Sequence, residues 1–272
     1  MSFFLEMRLI ILCLCFAGNA LAWEDGWWLK PNKTYPHWYT HMQEMRHSLM
    51  NGQIIRIENF MKTPEAFDVD HLTDWYLDTS PDPKIKNMDW YKRYKSNDPS
   101  VLNAFTNELS KHKIWFEDLL DIEFEDLTPI NETFALTKYN ASCYLDEHND
   151  FDGTRKLTII YHNSKINKPE CGGSLMWSGV LGGHEFEPTY NTAYIFVPTD
   201  LSMHSIKKMT CSERTAISGW FTLQSHSSSI YSMMVNHHRW IQMNEYGQIY
   251  NVEDESRRTV EVDTGGKNWF EK

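Results

Sequence analysis

From about Thr133 the chain changes its period. The runs Phe134 to Leu145, Lys156 to His162, Ser174 to Trp177, Thr192 to Val197, Ser202 to Lys207 and Arg214 to Gln224 look like strands. These runs are short and separated by clusters of Gly, Pro, Asn and Asp, the pattern of strands joined by turns. Several such strands in succession indicate a sandwich or barrel. Upstream the signals are different. A loop rich in Trp, Tyr and His leads to a short helix, Tyr39 to Met50, and then a strand, Gln53 to Phe60. Thr63-Pro64-Glu65 is a helix start with Pro at the first position, so Ala66 to Leu77 is expected to be helical. Residues 78–99 hold three prolines and many charges and are expected to form a surface loop. Apolar spacing from Val101 to Leu120 predicts one or two amphipathic helices. Helices first and strands afterwards make an α+β protein, a helical layer on a jelly roll.

The ends are read separately. Arg8 precedes an apolar run, Leu9 to Ala17, and Ala20-Leu21-Ala22 offers small residues for cleavage. That run is too short to span a bilayer and matches an export signal, although Glu6 also lies ahead of it. The expected organisation is a signal peptide over 1–22, a support region of helices and strands over 23–132, a jelly-roll core over 133–224 and a C-terminal extension over 225–272. Export implies a secretory lumen, the periplasm or the exterior, and a cytoplasmic location if the run is not cleaved. No stable membrane insertion is expected.

Five cysteines are present, but Cys13 and Cys15 fall within the signal. Of the remaining three, Cys171 and Cys211 are the expected disulfide pair, and Cys143, in an apolar run, is a buried thiol. Asn32, Asn131 and Asn140 stand in Asn-x-Ser/Thr sequons, relevant only in a eukaryotic secretory pathway. A net charge of −11 argues against a nucleic-acid partner.

The chemistry centres on residues 139–161. His148 and Asp150 are two apart, so on an extended chain they share a face and can reach one metal ion together. The pair alone is weak evidence, because twelve His and 37 acidic residues among 272 produce one or two His-x-acid triplets by chance. A second imidazole would complete a two-His-one-carboxylate face with open positions, the set that suits non-haem Fe(II) oxygenases. His204, in a strand-like run late in the β region, is the best candidate. Arg214 follows ten residues later and shares one strand face with Ala216, Ser218 and Trp220. A guanidinium pointing into a barrel among small neighbours needs an anionic partner, which a carboxylate meets through paired hydrogen bonds. The competing reading pairs Arg214 with Glu213 at the surface.

In this order, His148-x-Asp150, His204, Arg214, the chain resembles the Fe(II)/2-oxoglutarate-dependent dioxygenases. Its segments are most similar to the prolyl hydroxylase branch, in particular relatives of the ribosomal-protein prolyl hydroxylase. The segments are His148 to Tyr161, Cys171-Gly-Gly-Ser-Leu-Met-Trp177, Glu187-Pro-Thr-Tyr-Asn-Thr-Ala-Tyr-Ile-Phe196 and, most specifically, Arg214-Thr-Ala-Ile-Ser-Gly-Trp-Phe221. The likeness is good over 134–223, faint over 53–133, and does not cover 23–50 or the tail.

The resemblance implies a double-stranded β-helix, cupin-like core. It implies Fe(II) on His148, Asp150 and His204, and 2-oxoglutarate held at its distal carboxylate by Arg214 with Tyr139 or Tyr161 as phenol donor. Trp220 would wall the pocket. Dioxygen is the further cosubstrate, with ascorbate as an accessory. The presence of Asp150 favours hydroxylation over halogenation. Leu145 stands where relatives often have an aromatic residue three before the first ligand, with Tyr144 adjacent, which leaves the substrate-side wall unassigned. The expected function is hydroxylation of a peptidyl residue, proline by resemblance, with release of succinate and CO2. The alternatives are a hydroxylase of a free amino acid or other small molecule, and a non-catalytic jelly-roll binding protein. Oligomeric state is not readable.

Overall fold

The computed structural model describes residues 38–81, 88–96, 98–120, 134–165, 168–180, 183–222 and 237–238. The expected signal segment, the sequons at Asn32 and Asn131, and the tail apart from 237–238 lie outside them.

Helix α1 spans Trp38–Met50 and leads into strand β1, Ile55–Ile57. The helix expected over Ala66 to Leu77 is not formed. Only a single 3-10 turn, Pro64–Phe67, is helical. Asp68 then accepts the Asp70 N–H at 2.9 Å and Leu72 closes a turn on Val69. Side-chain acceptors of this kind compete with the helix. Phe67, Val69 and Leu72 are buried through turns instead.

The expected surface loop is also replaced. Strands β2, Tyr76–Pro81, and β3, Asp89–Lys95, pair antiparallel. Their alternation is hidden because the inward positions are charged. Asp78 receives Arg93 at 2.9 Å, Lys95 at 3.2 Å and the Tyr91 hydroxyl at 3.2 Å. A cross-strand ionic cluster thus stands where a hydrophobic stripe would normally mark a strand.

Helices α2, Pro99–Lys111, and α3, Lys113–Leu120, fall where apolar spacing puts them. Asp98 caps α2 by accepting the Ser100 N–H at 2.8 Å, and Pro99 occupies the first turn, where its missing N–H costs nothing.

The β region contains β4 (Phe134–Asn140), β5 (Tyr144–His148), β6 (Arg155–His162), β7 (Leu175–Trp177), β8 (His184–Phe186), β9 (Thr192–Phe196), β10 (His204–Ile206) and β11 (Glu213–Thr222). Strand β8 had no sequence signal, being three residues long and half exposed. All pairs are antiparallel and the sheet order is β1-β9-β6-β11-β4-β3-β5-β10-β7-β8, with β2 on β3. Strand β3 sits between β4 and β5. Its Tyr94 and Lys95 pair with β4, its Tyr91 and Lys92 with β5.

The sheet curls, and its two faces bury different sets. The outer face packs on the helices: Met45 and Leu49 of α1, Phe105 and Leu109 of α2 and Phe116 and Leu119 of α3 meet Leu136, Leu157, Ile159, Tyr161, Ile195 and Ile217. The inner face holds Tyr139, Leu145, Ile160, Leu175, Trp177, Tyr194, Phe196, Ile206 and Ala216. The result is the expected jelly-roll architecture with helices on one face. A disulfide joins Cys171 to Cys211, and Cys143 is a buried free thiol. No helix among the described residues is long and apolar enough to cross a membrane.

Phe105 is fully buried and its ring contacts Phe67, Phe134 and Tyr161 at 5.4–5.8 Å. Phe105→Ala is expected to cost about 3–5 kcal/mol of unfolding free energy in a urea titration, because it opens a cavity where helix and sheet meet.

Candidate active site

Antiparallel pairing of β5 with β10 sets His148 directly opposite His204. Their rings lie 4.3 Å apart between centroids. Asp150 follows β5 in a left-handed conformation, φ 57°, which Asp tolerates better than most residues. That bend turns its carboxylate back onto the imidazoles: Oδ1 lies 3.2 Å from His148 Nε2, and Oδ2 lies 3.5 Å from His204 Nε2. One donor atom from each residue falls within 4.8 Å of the others. Among the described residues this is the one group of three or more His, Cys, Asp or Glu side chains so disposed.

The hydrogen bonds fix how these rings are presented. His148 Nδ1 lies 2.9 Å from the Asp146 carbonyl and His204 Nδ1 lies 2.8 Å from the Ser202 carbonyl. A carbonyl oxygen only accepts, so each Nδ1 carries a proton and each ring turns its Nε2 toward Asp150, leaving that atom to serve as a metal ligand. Burial alone would raise the Asp150 carboxyl, but the two imidazoles outweigh it and hold it ionised. Two imidazole Nε2 atoms and a carboxylate converging on one point form a donor set that a cation can occupy. The donor set is that of a two-His-one-carboxylate iron face. Exposure falls from 20% for the His148 side chain to 10% for Asp150 and 2% for His204, so the face opens on the His148 side.

Arg214 lies on β11 opposite Tyr139 of β4. It is 2% exposed, whereas neighbouring Glu213 is exposed on the other face, so the surface-pair reading does not hold. Arg214 Nε lies 3.4 Å from His162 Nδ1, and its carbon Cζ lies 5.1 Å from the Tyr139 ring centroid. Among the described residues no carboxylate pairs with it, and its Nη1 is buried without a hydrogen-bond partner. Burial lowers its pKa to about 10, opposed by the Tyr139 and Tyr194 phenols, so it stays charged at neutral pH. A buried cation with an unpaired donor is costly unless an anion completes it. The observed cup therefore fits a carboxylate such as that of 2-oxoglutarate. Gly173 makes room for it: a Cβ there would stand 3.3 Å from Arg214 Cδ, at a φ of +82° that disfavours other residues.

The structure brings together His148, Asp150 and His204 at one point, and Arg214 and Tyr139 at another. Trp220 shares the inner face with Arg214 and lies under the Arg155 guanidinium at 3.5 Å. Tyr161 is not brought to the site. It faces the helices, stacked on Phe105, and its hydroxyl donates to Asn191 Oδ1 at 3.2 Å. Successive residues of a strand point to opposite faces, so His162 is the one that turns inward. Sequence reasoning missed it because every β6 residue from Lys156 to His162 is buried. With both faces covered, hydrophobic alternation carries no parity. Arg93, which reaches both Asp78 and the Tyr139 phenol, was hidden in the expected loop. So was Trp90, whose ring lies 5.8 Å from that of His148 and supplies the aromatic wall that Leu145 does not.

Residues 134–222 match the family model of the 2OG-Fe(II) oxygenase superfamily. That stretch of the chain is similar to the oxygenase domain the family model describes. The fold is similar to that of a Pseudomonas putida prolyl-4-hydroxylase, at 16% identity and a TM-score of 0.52, covering 67% of this chain and 99% of that one. It is also similar to a 2OG-Fe(II) oxygenase-family oxidoreductase from Burkholderia pseudomallei, at 13% identity and a TM-score of 0.50, covering 66% and 90%. Comparison with curated proteins found no match to this sequence.

Burial, and then the charge of Arg214, hold the His162 imidazole well below its usual value. The unfolded chain takes up a proton on this residue near pH 6.5 while the folded chain does not, so it subtracts stability as pH falls below about 6.5. His162→Gln is expected to flatten the fall of Tm between pH 7 and pH 5; an unchanged profile would assign the acid loss to other groups.

Proposed function

We propose that this chain is a 2OG-Fe(II) oxygenase that hydroxylates a peptidyl residue, with proline the first choice, and releases succinate and CO2. The observation that carries the oxidative part of this reading is the pairing of two tautomer-fixed imidazoles with Asp150. In it His148, Asp150 and His204 hold Fe(II), and Arg214 takes the distal carboxylate of 2-oxoglutarate, with Tyr139 and His162 alongside. When bound, the iron and its cosubstrate supply the oxidising chemistry with dioxygen. The protein supplies position and exclusion of water. Arg214 fixes the cosubstrate from the inner end of the cup, and the apolar inner face around Ile160, Tyr194 and Phe196 keeps the space between dry. Asp150 leaves no vacant position for a halide, which favours hydroxylation.

A polypeptide substrate is supported by where the face opens. His148 is its most exposed member and lies against Trp90, on the hairpin that exposes Tyr76, Leu77 and Met88. Such a rim offers apolar contact to an extended chain rather than enclosing a small molecule. The likeness to a prolyl-4-hydroxylase fold suggests proline. Export to an oxidising compartment is part of the same proposal, supported by the Cys171–Cys211 disulfide.

His148→Ala and His204→Ala are expected to abolish iron-dependent conversion of 2-oxoglutarate to succinate. Arg214→Ala is expected to raise the KM for 2-oxoglutarate at least tenfold, since a charge-assisted bidentate contact is worth about 1.5–3 kcal/mol. Full activity in Asp150→Ala would sink the assignment. Mass spectrometry of proline-containing peptides after incubation should show the gain of one oxygen; a gain on free amino acids alone would favour the small-molecule alternative.

A further inference from the structure

The metal face is assembled from two separate pieces of chain, and the ladder joining them fails at the point where it is needed. Strands β5 and β10 pair at His148 and His204, but the register slips between His204 and Ile206. Beyond His148 the chain leaves the sheet at Asn149 and turns left-handed at Asp150. A ligand segment in that state needs support from outside the ladder.

We infer that Ser202 and Asn149 form a clasp that positions the metal-binding residues, an inference that rests on the proposed iron face. Ser202 is fully buried in the turn before β10. Its Oγ accepts the Thr199 N–H at 3.0 Å and lies 2.8 Å from both the Asn149 and the Thr199 carbonyl oxygens. A hydroxyl has one proton to donate. The Thr199 carbonyl already receives the Ser202 N–H at 3.2 Å, so the hydroxyl proton is best used on Asn149. Asn149 returns the contact by donating Nδ2–H to the Asp200 carbonyl at 3.3 Å. Two hydrogen bonds in opposite directions therefore stitch the residue between His148 and Asp150 to the turn that precedes His204.

The same serine acts on the second imidazole through its main chain, because its carbonyl takes the His204 Nδ1 proton at 2.8 Å. On the far side Arg155 Nη1 donates to the Asp150 carbonyl at 3.1 Å. The bend is thus gripped at consecutive carbonyls, Asn149 by Ser202 and Asp150 by Arg155. Neither Ser202 nor Asn149 is a metal ligand. Both are positioning residues, whose loss should loosen the relation of the His148–Asp150 piece to His204.

The test is Mn(II) binding to the metal-stripped full chain, followed by electron paramagnetic resonance, with the Tm of the metal-free protein measured alongside. Ser202→Ala is expected to weaken Mn(II) binding roughly 10- to 100-fold, the usual size for partners that orient metal ligands. Asn149→Ala should weaken it less, and the double variant should be no worse than Ser202→Ala alone, because residues of one unit are not additive. A lowered Tm with unchanged Mn(II) affinity in Ser202→Ala would show a merely structural serine and overturn the clasp. So would fully additive losses in the double variant. If Ser202→Ala does not fold, Asn149→Ala decides: wild-type affinity there overturns the inference. Failure of the unaltered chain to bind Mn(II) overturns the iron face itself and the clasp with it.

Discussion

One strand pairing sets everything else. Antiparallel alignment of β5 with β10 puts His204 across from His148, and no other part of the chain can make up for a slip. Because side chains alternate along a strand, a shift of one residue would send one imidazole to the opposite face. The register is held by what surrounds it. Leu145 and Ile206, the next partners along, are buried in the inner cluster with Leu175 and Trp177. Hydrophobic burial thus specifies a register whose consequence is a polar, cation-seeking site.

The two halves of the centre are made by different physics. The metal face relies on hydrogen bonds that fix ring tautomers and on a bend that brings a carboxylate round. The cup relies on desolvation: Arg214 is sealed among Tyr139, His162 and Tyr194 with a donor unpaired. The disulfide bears on the second half. Cys211 lies three residues before Arg214, and its tie to Cys171 holds the start of β11 beside the Gly172-Gly173 bend. Gly173 keeps space that a side chain would take from the guanidinium stem.

Much of this was legible before any coordinates. Period two and turn residues located β4, β6, β7 and β9 to β11, but the run read as one strand, Phe134 to Leu145, is two, β4 and β5, with a turn between them at Ala141-Ser142. Residue type and spacing singled out His148, Asp150 and His204, which the fold brings together. What stayed hidden did so for identifiable reasons. The β2–β3 hairpin carries its inward alternation as Asp78, Arg93 and Lys95, which read as solvated charge. The stretch after Pro64 has helical spacing, but Asp68 closes a competing turn. Strand β6 is covered on both faces, so nothing in the pattern distinguished Tyr161 from His162, and Tyr161, the second candidate for the phenol donor beside Tyr139, lies on the helix side. Ser202 has no signal of its own in the sequence.

The placement of β3 carries one more consequence. It is wedged between β4 and β5, hydrogen-bonded to each along a different half of its length. Through Arg93 it reaches Tyr139 and the cup around Arg214; through Trp90 it reaches His148 and the His148–Asp150–His204 cluster. The hairpin therefore works as a splint across both halves of the centre, and a tilt of β3 would be felt at both ends together.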